Sequence, residues 1–116
     1  MALADLQEAL IAEGYAASIT GDFVTFPYVV PVGAHAGTTV QIGLQAPDFP
    51  INPPGGVHVS PRLQHPGDSA HHASTLGPAW IYWSRPYPDW PQSARSASDY
   101  LAHLRKLFSQ FVATAA

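Results

Sequence analysis

Apolar positions recur at helical spacing only near the two ends of the chain. Between residues 3 and 13 (LADLQEALIAE), Leu3, Leu6 and Leu10, with Ile11 beside them, form one stripe, and Asp5, Glu8 and Glu13 lie outside it. Gly14 follows in a stop position, where a left-handed residue closes a helix at little steric cost. The spacing predicts an amphipathic helix. At the other end, Tyr100, Leu101, Leu104, Leu107, Phe108, Phe111 and Val112 draw a wide apolar face from about residue 97 onward. Ser96 or Ser98 is placed to cap this second helix, and Arg105 and Lys106 toward its C-terminal half suit the helix dipole.

Between the helices the period shortens. Ala16 to Thr25 and Tyr28 to Val32 are rich in β-branched and aromatic residues and predict short strands, with a turn or bulge at Gly21-Asp22. Thr38 to Leu44 (TTVQIGL) alternates as a further strand, and Gly33-Ala-His-Ala-Gly37 supplies the turn before it. Val57-His58-Val59 predicts one more. Most of the twelve prolines fall between Ala46 and Pro91, and a residue without an N–H forbids long ladders there. Such a long, sparsely structured segment is uncommon in a compact domain and more often functional than accidental. The expected architecture is α+β: an N-terminal helix, an antiparallel meander of about four strands, a proline-rich crossing and a C-terminal helix, in one domain over 1–116.

Composition narrows the function classes. The chain of 116 residues is 47% hydrophobic and only 11% charged, against a usual charged share of about 25%. A net charge of −3 with a single lysine, Lys106, gives no basic footprint for nucleic acid. No run approaches the roughly 18 apolar residues of a membrane span. The start, MALADLQEAL, has neither a basic leader nor an apolar signal core, so a cytoplasmic protein is expected. Cysteine is absent, which excludes disulfides, thiolate metal sites and a cysteine nucleophile in this chain. Gly55-Gly56 has no adjoining phosphate-binding motif, and no cofactor is expected. His65, His71 and His72 raise the question of zinc, but Asp68 is the only close acid and no HExxH pattern is present. A solvated loop or a general base is the simpler reading of these histidines.

The most unusual stretch is residues 80–91, W-I-Y-W-S-R-P-Y-P-D-W-P, which holds every tryptophan of the chain. Upstream, F-P-I-N-P-P at 49–54 precedes the strand at 57–59 and then His65-Pro66-Gly67; Trp90-Pro91 and the last helix follow. This order resembles the ubiquitin-conjugating enzyme fold. In that family an aromatic-proline-x-x-proline-proline motif, a strand, a His-Pro-Asn turn, the catalytic cysteine segment, a tryptophan-x-proline and a helix succeed one another. Trp80-Ile81-Tyr82-Trp83-Ser84-Arg85 with Trp90 is similar to the prokaryotic ubiquitin-conjugating-like family E. The resemblance implies a bacterial ubiquitin-like conjugation pathway, sometimes an antiphage system. The implied partners are a ubiquitin-like protein and an adenylating activating enzyme. Two departures stand out. Gly67 replaces the family's asparagine, and counting back about eight residues from Trp90 reaches Tyr82 where a cysteine would be expected.

The nearest hydroxyl of nucleophilic size is Ser84. Serine can carry an acyl group as an oxyester if a base removes its proton. His71 and His72 are candidate bases, and Arg85 is a candidate oxyanion donor or a stacking partner for tryptophan. The competing reading of Ser84 is a turn hydroxyl satisfying a backbone group. Trp90 is expected in the core beneath the last helix. Trp80 and Trp83 either brace the active-site flap or offer a partner-binding platform. The leading expectation is a ubiquitin-like protein transferase acting through Ser84. The alternatives are a non-catalytic adaptor of the same fold and an unrelated α+β binding module.

Overall fold

In a computed structural model of the chain, residues 2–47, 49, 51–52, 54, 56–61, 63, 71–83 and 89–111 are described, without the side chains of Ala2, His71 and His72. The N-terminal apolar stripe forms α1, Ala2–Ala12. Leu6 and Leu10 are fully buried, whereas Ile11, one residue off the stripe, is 52% exposed. Gly14, at φ +97°, closes the helix. Its N–H donates to the Ile11 carbonyl at 2.9 Å and the Tyr15 N–H to the Leu10 carbonyl at 3.0 Å. These two bonds satisfy carbonyls that a helix end leaves open.

Next comes a hairpin of β1, Ser18–Thr20, and β2, Phe23–Val29, around Gly21-Asp22. The interruption expected after Thr25 is absent, and β2 runs through Pro27. β1 pairs only with Phe23 to Thr25, so among the described residues β2 has no neighbour on that side at Pro27. A missing N–H is tolerated at such a place. β3, Thr39–Leu44, pairs with β2 from Val24 to Val29, and β4, Val57–Ser60, pairs with β3.

The crossing holds more sheet than its prolines led us to expect. β5, His71–Ala73, and β6, Ile81–Trp83, form a second hairpin, and β6 joins β4. Six antiparallel strands result in the order β1-β2-β3-β4-β6-β5, rather than about four. The prolines border the three-residue strands instead of interrupting them, and Ile-Tyr-Trp is itself a strong strand sequence. A single 3-10 turn, Trp90–Gln92, then leads to α2, Ala97–Ser109.

One face of the sheet carries the core. Val24, Phe26 and Tyr28 of β2, Val40, Ile42 and Leu44 of β3, Val57 and Val59 of β4, and Ile81 and Trp83 of β6 are all buried. Their registers align them across the strands, as in Phe26↔Ile42, Ile42↔Val59 and Val57↔Trp83. α2 covers this face, with Phe108 against Tyr28 at 5.6 Å and against Trp83 at 5.2 Å between ring centroids. Trp90 is buried beside Phe49, as expected of a core residue. No helix among the described residues is long and apolar enough to cross a membrane.

Candidate functional site

The opposite face is built by the residues that alternate with the core set. A lateral row runs Ser18↔Thr25↔Gly43↔His58↔Tyr82↔His72 across all six strands. In Val57-His58-Val59 the valines face α2, so the strand's alternation sends His58 to this second face. It is nonetheless buried, with 6% of its surface exposed, and is the one polar side chain buried among the described residues.

Three contacts enclose His58. Its ring stacks on Tyr82 at 4.6 Å and 27°, and meets Phe23 edge-on at 4.7 Å and 86°. Its Nδ1 lies 2.6 Å from Ser74 Oγ. Ser74 Oγ also accepts the Leu76 N–H at 3.0 Å, a short turn that fixes the hydroxyl. Two tautomers fit this contact: Nδ1–H donates to Oγ, or the hydroxyl donates to Nδ1 with the ring proton on Nε2, and only in the second can Nδ1 act as a base toward Ser74. Burial pushes the imidazole down to about 4, so His58 is neutral near pH 7 and free to accept from Ser74.

A cleft of about 180 Å³ opens beside His58, lined by Gln45, Pro47, Gly56, His58 and Tyr82. Through Gln45 and Pro47 it adjoins a shallower hollow of about 290 Å³ that reaches Leu3 and Asp22. Nε2 has no hydrogen-bond partner among the described residues, yet it is not sealed in the interior. Gly56 makes the cleft possible, because a Cβ there would fall 2.5 Å from Tyr82 Cε1. Across the sheet, Gly43 leaves room for the loop between β5 and β6, where Leu76 and Trp80 pack over its backbone.

The residues expected from sequence fall unevenly on this frame. Ser84 and Arg85 lie outside the described residues, as do His65 and Gly67. His71 and His72 lie on β5, where the backbone of His72 shares the row of Tyr82 and His58 and that of His71 pairs with Trp83. Of the two roles left open for Trp83, brace or partner-binding platform, its placement fits the brace. It is 0% exposed, packs on Phe108 and Phe111, and donates its Nε1–H to the Leu63 carbonyl at 2.8 Å. Its position opposite Val57 turns it into the core, where it acts as the brace. Trp80 is half-buried at the entrance to β6.

Sequence reasoning missed His58 and Ser74. A polar residue between two valines in a strand was a usable signal for His58, since it marks a second face. Nothing local marked Ser74, sixteen positions away. Comparison with protein-family models, with curated proteins and with solved structures finds no match to this chain.

Proposed function

We propose that the chain is a cysteine-less, ubiquitin-conjugating-like protein of a bacterial conjugation pathway. It takes the C-terminus of a ubiquitin-like protein from an adenylating enzyme, holds it as an oxyester on Ser84, and passes it to a target. The observation that carries this reading is the position of Tyr82, the residue that stands where the family's spacing expects a cysteine. It lines a cleft beside a neutral histidine, on a strand anchored from behind by the buried Trp83. The order of helix, meander, F-P-I-N-P-P between β3 and β4, and closing helix supports the same reading.

The second reading is an adaptor that binds the ubiquitin-like protein or the activating enzyme without chemistry. Ile51, 70% exposed within F-P-I-N-P-P, and the half-buried Trp80 favour a contact role. One experiment separates the two. The chain is incubated with a ubiquitin-like protein, its activating enzyme and ATP, and resolved on a denaturing gel. The carrier reading predicts an adduct that survives thiol reductant, is cleaved by hydroxylamine, and disappears in Ser84→Ala. An adduct that persists in Ser84→Ala removes the serine assignment. Binding without any adduct establishes the adaptor.

A further inference from the structure

We propose that Ser74 and His58 form a nucleophile–base pair, and that Ser74 accepts acyl groups carried on good, anionic leaving groups. The pair stands on geometry that does not require a ubiquitin-like partner. Ser74 Oγ and His58 Nδ1 are 2.6 Å apart, within the reach a base needs to take a hydroxyl proton. Leu76 N–H holds the oxygen in place from a second direction. Ser74 as a residue is half-buried, on the loop that follows β5. His58 in turn lines an open cleft large enough for a small acyl ester.

The step balances with these two residues and solvent. Ser74 Oγ attacks the acyl carbonyl carbon while its proton passes to His58 Nδ1. The bond from that carbon to the leaving oxygen breaks, and the electron pair departs with the leaving group as an anion. The imidazolium then gives a proton to water, and Ser74 retains the acyl group as an ester. Transfer to water or to an amine regenerates the hydroxyl.

The same burial that keeps His58 neutral sets the substrate class. Phe23 and Tyr82 flank the ring, Ser74 and the Gly43 backbone lie against the residue, and Gln45, Pro47 and Gly56 line the cleft with it. Among the described residues no carboxylate bonds to Nε2, so nothing there offsets the charge of an imidazolium. A base of this kind is too weak to drive expulsion of an amine from an amide. It suffices where the leaving group departs as a stabilised anion and needs no proton, as with acyl phosphates, acyl adenylates and aryl esters.

p-Nitrophenyl acetate is the probe, with acetylation followed by intact mass and the site mapped by peptide mass spectrometry. Wild type is expected to carry the acetyl group on Ser74, with the rate level above pH 5 and falling as the pH nears about 4. His58→Gln should slow acetylation about 100-fold. Because Ser74→Ala also removes the bond to His58, Ser74→Cys serves as the second variant; its thiol should acetylate faster at the same position. Acetylation that spares residue 74 in both wild type and Ser74→Cys overturns the proposal, as does a wild-type rate in His58→Gln. Acetyl-Ser74 without any ubiquitin-like adduct would leave the pair standing and remove only the conjugating reading.

Discussion

Gly56 shows how closely single residues are fitted around the cleft. A Cβ at this position would meet Tyr82 Cε1 at 2.5 Å and the Trp83 carbonyl oxygen at 2.6 Å. The second contact is backbone, so rotating Tyr82 away relieves only part of the clash. Gly56→Ala should therefore destabilise the fold by about 1–3 kcal/mol, read from the urea midpoint, and should narrow the cleft as Tyr82 is displaced. The sequence displays Gly55-Gly56 as a glycine pair with no adjoining motif, and nothing in it points to the ring that requires a glycine at 56. His58 repeats the lesson. Its strand was legible, but its neighbours Phe23, Ser74 and Tyr82 come from three other parts of the chain.

At the scale of elements, legibility follows locality. α1 and α2 are set by stripes and caps within a few residues, and both lie where the spacing placed them. The choice between Ser96 and Ser98 as cap is decided by Asp99. The Ser96 hydroxyl accepts the Asp99 N–H at 3.2 Å, while the Asp99 carboxylate accepts the Ser96 N–H at 3.1 Å. That reciprocal pattern is a serine followed three residues later by an acid, and it was already present in S-A-S-D. Ser96→Ala is expected to cost about 1 kcal/mol in thermal or urea unfolding, against a few tenths at most for the exposed Ser98→Ala. β5 and β6 were not legible. Three residues between prolines carry no usable period; β6 is placed by pairing with β4, more than twenty positions upstream, and β5 by pairing with β6.

The molecule as a whole inherits a pH dependence from the buried imidazole of His58. Unfolded, His58 would titrate near 6.5; folded, it titrates near 4. Between those values the unfolded chain binds a proton that the folded chain refuses. Stability from this group is thus fully present above about pH 6.5, declines as the pH falls toward 4, and is gone below that, a loss of at most about 3 kcal/mol. Urea midpoints at several pH values should show that slope in wild type and a flatter one in His58→Gln. The strand order has a different consequence. Among the described residues β5 reaches the sheet only through β6, and β6 forms three residue pairs with β4. Opening that seam would detach both strands as one cooperative unit, carrying Ser74 and Tyr82 away from His58 while the β1–β4 pairing remains closed. Because β6 also sets Ile81 into the core, and Trp83 against Phe108 and Phe111, that step would expose one of the largest buried side chains. The cleft is therefore expected to come apart only at a cost approaching that of global denaturation.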